Sequence, residues 1–218
     1  MQIALLGGTG DLGAGLALRW GRDTDHDLLV GSRDPDQARE AASDYAARLD
    51  GTASISGVQN GDAAAQADIV VLAVSPYHLG DLLSTIGDRL SETAIVVTPA
   101  VGMERGEDGM SYAPPPQGSV AALVRERTPD PNPVVGAFHT LPAGRLADLD
   151  TTLDFDTLVF GDRADAVAQV REVAESIDGL GTLTAGGLGN AAAVESLTPL
   201  LLTLGAENDA HGLGLKIQ

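Results

Sequence analysis

Three glycines between a strand-like and a helix-like segment constrain the fold of this chain more than any other feature. Residues 3–6 are apolar at four successive positions, as a strand buried on both faces should be. The motif G-x-G-x-x-G follows over residues 8–13, and the apolar residues after it recur every four positions, which is a helical period. In that context the glycines permit a tight turn, close approach of the backbone to a pyrophosphate, and packing of the helix on the strand. The predicted dinucleotide-binding turn consists of Gly8, Thr9, Gly10, Asp11, Leu12 and Gly13.

The order of the remaining segments predicts a mainly parallel sheet covered by helices. Short apolar runs alternate with helical patterns up to residue 98, which is typical of a doubly wound α/β fold. The 218 residues fit one Rossmann-type domain over residues 1–138 and a small C-terminal α/β lobe over residues 139–218, since a domain typically holds ~100–200 residues. In the less regular part we expect a long loop at residues 99–117, a short strand at 158–160 and one apolar helix at 190–204.

The charge of the chain argues against several classes of partner. With 13 Lys and Arg against 31 Asp and Glu, the formal net charge is −18, which would repel the phosphates of nucleic acids and of anionic membranes. No apolar run approaches the ~20 residues of a membrane span, so we expect no nucleic acid, no membrane and a cytoplasmic location. Lys216 is the one lysine. An excess of acids with a single lysine favours a salt-rich cytosol, as in a halophilic archaeon, because counter-ions there screen the repulsion between the acids. The alternative is an acidic protein of an ordinary cell.

Missing residue types narrow the chemistry further. The chain has no Cys, which excludes disulfides, thiolate nucleophiles and Cys-ligated metals. No His pair has the spacing of metal ligands on a helix, and no nucleophile elbow is present. We therefore expect neither a metal nor a hydrolase triad.

The end of the second predicted strand indicates which dinucleotide is bound. An NAD enzyme usually places Asp or Glu there, ~20 residues after the glycine motif, to accept from the ribose 2′-hydroxyl. This chain has Ser32 and Arg33 instead, and a hydroxyl and a guanidinium donate hydrogen bonds to a 2′-phosphate. The predicted cofactor is NADP(H), with Thr9 as a further donor. The alternative is that Ser32 and Arg33 only cap the following helix, near Asp34.

His139 is the candidate acid–base residue. It ends the buried run at residues 134–138, and parallel sheets bind ligands at the carboxyl ends of their strands. Since the one lysine lies near the end of the chain, His139 is the available proton donor. The alternative is a histidine that closes off the strand through hydrogen bonds to backbone. Hydride transfer between two bound rings would need positioning and no acid. His78 is a further candidate contact to a nicotinamide.

Four blocks of sequence together resemble one enzyme family. They are the opening strand with the glycine motif (residues 3–13), Gly-Ser-Arg (31–33), Phe-His-Thr-Leu-Pro-Ala (138–143) and Val-Glu-Ser-Leu-Thr-Pro-Leu (194–200). Many NADP enzymes share the first block, whereas the last two are far more specific. Over nearly the whole chain, the blocks resemble the NADP oxidoreductases that depend on coenzyme F-420 (F420), a deazaflavin.

The resemblance implies a homodimer that binds NADP(H) and F420 and needs no metal. Hydride would pass directly between C4 of the nicotinamide and C5 of the deazaflavin, in either direction, in a cleft closed by the C-terminal lobe. The resemblance also implies that Thr9, Ser32 and Arg33 hold the 2′-phosphate, that Val74 and Pro76 line the nicotinamide, and that His139, Leu141, Pro142 and Ala143 meet the deazaflavin.

The chain departs from the family pattern around the 2′-phosphate. Relatives often carry further Lys or Arg after the Ser-Arg pair, where this chain has Asp34 and Gln37. Arg145 is the nearest candidate to receive the anionic tail of F420. Two rival functions stay open: an NADPH-dependent reductase of an imine, carbonyl or ferric acceptor, and a non-catalytic module that senses NADPH.

Overall fold

The structure, a computed structural model, describes residues 1–107 and 109–218. Within them no helix is long and apolar enough to span a membrane. The strands are β1 (Gln2–Leu6), β2 (Asp27–Ser32), β3 (Ile55–Gln59), β4 (Ile69–Leu72), β5 (Ile95–Thr98), β6 (Met103–Gly106), β7 (Gly109–Tyr112), β8 (Val134–Gly136), β9 (Phe155–Gly161) and β10 (Leu180–Thr184). The α-helices are α1 (Asp11–Asp23), α2 (Pro35–Arg48), α3 (Asn60–Gln66), α4 (Leu79–Ile86), α5 (Val120–Arg127), α6 (Ala143–Ala147), α7 (Ala164–Glu175), α8 (Ala191–Glu195) and α9 (Leu197–Glu207), with 3-10 turns at Pro76–His78, Gly87–Arg89 and Leu188–Asn190.

Eight strands form one sheet in the order β10-β9-β8-β5-β4-β1-β2-β3. β1 pairs in parallel with both β2 and β4, and β5 and β8 continue the parallel part. β9 runs antiparallel to β8, and β10 runs parallel to β9. The prediction of a mainly parallel, Rossmann-type α/β fold is confirmed. The strand order reverses next to β1, so the carboxyl ends of β1 and β4 flank the crevice in which such sheets bind ligands.

The sheet continues past residue 139, the start of the predicted C-terminal lobe. β9 and β10 extend the edge of the sheet that β8 would otherwise form. In addition, Nε1 of Trp20 in α1 donates to the carbonyl oxygen of Val173 in α7 at 2.8 Å, so N-terminal and C-terminal helices pack directly together. The division into residues 1–138 and 139–218 stays a prediction.

Alternate residues of β1 serve two cores, one on each face of the sheet. Ile3 and Leu5 belong to the cluster that contains Trp20, whereas Ala4 and Leu6 belong to the cluster on the other face. All four strand residues are fully buried, which explains why this run is apolar at successive positions. A strand fixed on both faces is a rigid base for the glycine turn that follows it.

The predicted loop over residues 99–117 contains a hairpin, so this prediction is wrong in part. β6 and β7 pair antiparallel in a separate two-stranded sheet. Their residues are half-buried or exposed, and no apolar run marks them among the many Gly and Pro residues. The hydroxyl of Thr203 in α9 holds the hairpin: it accepts from the N–H of Met110 at 3.0 Å and donates to its carbonyl at 3.1 Å. Asp108 lies outside the described residues.

The predicted single helix over residues 190–204 is wrong as well, because α8 and α9 meet at Ser196. Pro199 explains the break. A proline has no N–H, and its ring clashes with a helical carbonyl four residues earlier, here that of Glu195. α8 therefore ends at Glu195, and Pro199 lies in the first turn of α9, where proline is tolerated.

Two elements escape the hydrophobic pattern. β9 extends beyond the predicted residues 158–160 because its first part includes Asp156 and Thr157, which are polar but buried. α3 has seven residues, mostly Gly, Asp and Ala, and is too short to show a helical period. This helix matters for the site because its first residue, Asn60, directly follows β3 at the ligand-binding edge.

Candidate functional site

The glycine turn joins β1 to α1 at the ligand-binding edge of the sheet. Gly7 has a φ of +77°, and a Cβ there would lie 2.4 Å from Cγ1 of Val74. A Cβ on Gly13 would lie 2.6 Å from Cα of Gly8, so α1 packs directly on the turn. Gly7 is thus part of the turn although the motif begins at Gly8. The adjacent pair Gly7-Gly8 is the feature of the sequence that indicates this role of Gly7.

The start of α1 fits a bound pyrophosphate. Its N-cap, Gly10, has no side chain, and no side chain of the described residues caps the helix there. Asp11 and Leu12 open the first turn, whose N–H groups lack helical partners and carry the positive end of the helix dipole. The hydroxyl of Tyr45 donates to the carbonyl of Gly8 at 3.0 Å and holds the turn from behind.

A cleft of about 480 Å³ opens between the glycine turn, the start of α2, and the helices α3 and α4. Four of the predicted site residues line it, namely Thr9, Ser32, Arg33 and Val74, and so does His78. Pro76 does not line it; it begins the 3-10 turn after β4. Because sites for organic ligands commonly enclose ~300–1,000 Å³, the cleft is large enough for part of a dinucleotide.

Asp34 caps the start of α2, and the side chain of Arg33 takes no part in the cap. The Asp34 carboxylate accepts from the N–H of Asp36 at 2.9 Å, and Oγ of Ser32 accepts from the N–H of Asp34 at 3.2 Å. Arg33 is exposed, and its guanidinium has no hydrogen bond or ion pair with any residue that the structure describes. The capping alternative therefore applies to Asp34 and, in part, to Ser32, but not to Arg33.

Two further polar residues of the cleft come from segments without a motif. Asn60 is 5% exposed, and its Oδ1 has no hydrogen-bond partner among the described residues. Arg89, in the turn after α4, pairs with the carboxylate of Asp62 at 2.6 Å. Sequence reasoning missed both residues, because only the crossing from β3 to β4 brings them to the same cleft as Arg33. A polar residue directly after β3 is the one available signal.

A second cavity, of about 330 Å³, lies at the end of β8. Residues 139–142, one side of α9 and residues 209–213 line it. Of the residues predicted to meet the deazaflavin, His139, Leu141 and Pro142 line this cavity, while Ala143 begins α6 and does not line it. Nowhere in residues 1–107 and 109–218 do three His, Asp or Glu side chains lie close enough together to hold a metal ion.

His139 is buried and neutral. Both ring nitrogens lack a partner among the described residues, and the ring stacks on that of Phe160 with centroids 5.4 Å apart. Burial lowers the pKa of His139 to about 3, because the charged imidazolium would lose its hydration. The ring therefore does not close the strand through hydrogen bonds to backbone. At neutral pH it offers one N–H donor and one acceptor nitrogen, and it holds no imidazolium proton.

The residue before His139 has an unusual backbone conformation. Phe138 has a φ of +69°, a region that costs a non-glycine residue about 1–3 kcal/mol. Its N–H donates to the hydroxyl of Thr157 at 2.7 Å, and its ring packs edge-to-face on Trp20 with centroids 5.8 Å apart. On the other side, the hydroxyl of Thr198 in α9 donates to the carbonyl of His139 at 2.9 Å. These contacts hold His139 in place.

Arg145, the predicted residue for the F420 tail, lies beside the second cavity. Its Nε is buried and has no hydrogen-bond partner in residues 1–107 and 109–218, and its Cγ would be 2.9 Å from a Cβ on Gly212, which lines that cavity. The guanidinium of the fully buried Arg19 in α1 donates to the carbonyls of Arg145 and Leu146 at 2.9 Å each. α6 is thereby fixed to the helix that starts at the glycine turn.

The acid of the Val-Glu-Ser-Leu-Thr-Pro-Leu block has a structural role. Glu195 is fully buried, and its carboxylate accepts from the N–H groups of Val120 and Ala121 at 2.9 Å each and from the hydroxyl of Tyr112 at 2.8 Å. Burial raises the pKa of Glu195. The residue caps the start of α5 and joins α8 to the hairpin.

Comparison with known proteins decides the family. The model of a family described as NADP oxidoreductase, coenzyme F420-dependent, matches residues 2–102. The F420-dependent NADP reductase of Methanothermobacter thermautotrophicus is 36% identical over 225 residues, covering 100% of this chain and 94% of the relative. The chain belongs to the F420-dependent NADP oxidoreductase family.

Other members and solved structures extend this result. The F420-dependent NADP reductase of Methanocaldococcus jannaschii is 35% identical over 100% of this chain and 98% of its own length. A crystal structure of an F420-dependent NADP-reductase candidate from Arthrobacter sp. FB24 superposes with a TM-score of 0.82 at 24% identity, covering 100% of this chain and 99% of the other. That likeness shows the shared fold. The two cavities of this family member, the cleft beside the glycine turn and the cavity at the end of β8, are the candidate sites for its ligands.

Proposed function

We propose that this F420-dependent NADP oxidoreductase family member catalyses reversible hydride transfer between NADP(H) and F420. The nucleotide cleft carries the proposal: the free guanidinium of Arg33 stands beside Ser32 at the end of β2, where an NAD enzyme has an acid. Relatives of 36% and 35% identity are named F420-dependent NADP reductases. When both are bound, the nicotinamide and the deazaflavin supply the hydride donor and acceptor.

The glycine turn and the end of β2 hold NADP(H). The N–H groups over residues 10–13 donate to the pyrophosphate. Thr9, Ser32 and Arg33 donate to the 2′-phosphate, and the guanidinium adds a charge-assisted hydrogen bond that a 2′-hydroxyl does not gain. Val74, which packs on Gly7 in the turn, and Pro76 border the nicotinamide.

The second cavity holds the deazaflavin. His139 offers its two unpartnered ring nitrogens to polar groups of the ligand, since a buried polar group without a hydrogen bond is costly. Leu141 and Pro142 offer an apolar surface there, and Arg145, beside the cavity, receives the anionic tail.

Catalysis depends on alignment and on exclusion of water. The neutral ring of His139 positions the acceptor and does not supply an imidazolium proton. Residues 139–218 act as the lobe that closes the deazaflavin cleft over residues 1–138, so that the two reacting carbons meet without solvent between them.

We further propose a homodimer. Leu200 and Leu204 lie one turn apart on the same face of α9 and form exposed apolar surface, with 53% and 44% of their surface exposed. Apolar patches of this kind mark interfaces. Light scattering should give twice the chain mass of 22.2 kDa, and a mass of one chain would contradict the dimer.

The charge supports a location for the enzyme. A net charge of −18 needs counter-ions to screen self-repulsion, and the two curated relatives named above come from archaea. We propose that the enzyme works in the salt-rich cytoplasm of a halophilic archaeon.

The proposed reaction is tested by following the absorbance of oxidised F420 in molar salt. We expect rapid bleaching after addition of NADPH to the enzyme with F420, and little bleaching with NADH. Folded protein that binds NADPH but bleaches no F420 would contradict the proposal, and would favour a reductase of another acceptor or an NADPH sensor.

A further inference from the structure

The part of the nucleotide cleft formed by α3 and α4 contains a buried polar atom that has no hydrogen-bond partner among the described residues. Asn60 is 95% buried, and its side-chain oxygen Oδ1 accepts no hydrogen bond from any residue that the structure describes. An amide that loses water on folding and gains no partner destabilises the folded state. Since Asn60 lines the cleft, a bound ligand is the available source of its missing hydrogen bond.

Arg89 lies next to this amide and is held flat. A Cβ on Gly61 would lie 2.7 Å from Nη1 and 3.1 Å from Cζ of Arg89, so the guanidinium covers the backbone at Gly61. Its Nη2 binds Oδ1 of Asp62 at 2.6 Å. The side chain is still 47% exposed and lines the cleft. A planar group fixed along one edge and covered on one side therefore presents a free surface to a ligand.

The charges around Arg89 favour a neutral aromatic ring over a phosphate. Asp62 already pairs with the guanidinium, and Asp81 lines the same wall of the cleft. Both carboxylates would repel an anion, whereas stacking on a guanidinium needs no net charge on the ligand. Arg33, which pairs with no acid in the part of the chain that the structure describes, is the cation left for the 2′-phosphate.

We infer that Arg89 is the platform on which the adenine of NADP(H) stacks, and that Asn60 supplies a hydrogen bond to the adenosine half. This inference rests on the proposed binding of NADP(H). The two arginines of the cleft then have different roles. Arg33 binds the 2′-phosphate, which only NADPH carries, and Arg89 binds the adenine, which NADPH and NADH share.

The test is a calorimetric titration with NADPH, NADH and 2′,5′-ADP in the absence of F420. Arg89→Ala should weaken all three about 5- to 150-fold, the range for loss of one base-stacking contact, and should leave the ratio of NADPH to NADH affinity unchanged. Arg89→Tyr restores a flat stacking surface without charge and should recover most of the affinity, whereas Arg89→Lys should not. Asn60→Ala should weaken the same three ligands by a common factor.

The controls separate this inference from its alternatives. Arg39→Ala removes another exposed arginine, paired with Asp36 outside the cleft, and should change no affinity. A lower NADPH to NADH ratio in Arg89→Ala, rescued by Lys and not by Tyr, would assign Arg89 to the phosphate and overturn the inference. Unchanged affinities in folded Arg89→Ala would also overturn it. Because F420 is absent, failure of the bleaching assay leaves the result standing, whereas wild-type protein that binds no NADPH defeats both proposals.

Discussion

One side chain, Arg33, carries most of the proposed choice between NADP(H) and NAD(H). A carboxylate at the end of β2 would accept from a ribose 2′-hydroxyl and repel a 2′-phosphate. Here the nearest acid, Asp34, is engaged as the N-cap of α2, and the guanidinium beside it is free. The residues that follow Arg33 include Asp34 and Gln37 and no cation before Arg39, so Arg33 provides most of the positive charge at this point of the chain.

Removing the Arg33 guanidinium tests how much this residue contributes to the preference for NADPH over NADH. Arg33→Ala should raise the Michaelis constant for NADPH roughly 10- to 100-fold, since a charge-assisted hydrogen bond contributes about 1.5–3 kcal/mol, and should barely change that for NADH. Steady-state kinetics with both nucleotides measure this, with Arg39→Ala as the matched control. Equal effects on NADPH and NADH would contradict the assignment.

His139 predicts a pH dependence of stability. Its pKa is about 3 in the folded chain against 6.5 when unfolded, so below pH 6.5 the unfolded chain takes up a proton that the folded chain does not. Stability from this residue is complete above pH 6.5 and is lost as the pH falls toward 3, by roughly 2 kcal/mol at about pH 5.

Urea unfolding at about pH 7.5 and about pH 5 measures this loss. The loss should shrink by roughly 2 kcal/mol in His139→Gln and stay at the wild-type value in His211→Gln, which alters an exposed histidine. An identical loss in wild type and His139→Gln would show that His139 is not buried as a neutral ring.

Among the elements, the turn from β1 to α1 uses its glycines in two different ways. A Cβ on Gly13 meets the backbone of Gly8 at 2.6 Å, whereas a Cβ on Gly10 meets nothing closer than 3.4 Å. Gly13 is thus required by packing alone. Gly10 has room in the free protein, and we propose that it is required because the backbone there must approach the pyrophosphate.

Two alanine substitutions separate these requirements. Gly10→Ala should leave the melting temperature nearly unchanged and weaken NADPH binding at least ~10-fold through contact with the ligand, which is about 1.4 kcal/mol. Gly13→Ala should lower both the melting temperature and the affinity, because α1 must shift. Calorimetric titration and thermal melting report the two quantities. If Gly10→Ala kept the full affinity for NADPH, this result would contradict the placement of the pyrophosphate at this turn.

The elements that could be predicted from sequence are those whose burial produces a recognisable pattern of apolar residues, either periodic or continuous. β1, β4 and β5 are buried on both faces and appear as continuous apolar runs. The hairpin of β6 and β7 is bound through Thr203 in another helix, which no local pattern encodes. The break at Ser196 was encoded by Pro199 but hidden by the apolar composition on both sides.

At the scale of the whole molecule, the sheet places the site residues. Motifs predicted Thr9, Ser32 and Arg33, because each lies at a strand end that a local pattern marks. Asn60 and Arg89 reach the same cleft only through the crossover from β3 to β4. Their positions follow from the topology, so a reading of local sequence could not find them.

The charge of the whole molecule predicts a dependence on salt. With 31 acids against 13 bases, carboxylate repulsion opposes the compact state, and counter-ions screen it. We expect the melting temperature to rise by at least ~5 °C between dilute buffer and molar KCl, which corresponds to roughly 1.3–2.5 kcal/mol for a chain of this length. Scanning calorimetry measures it, and an unchanged melting temperature would contradict the charge argument.

Direct hydride transfer between the two ligands is the central claim, and the fate of the transferred hydrogen tests it most directly. NADPH that carries deuterium at the transferred position of C4 is incubated in ordinary water with the enzyme and F420, and the reduced F420 is analysed by mass spectrometry and proton NMR. Direct transfer predicts one deuterium at C5 of the deazaflavin. Reduced F420 that carries no deuterium at C5 would contradict it.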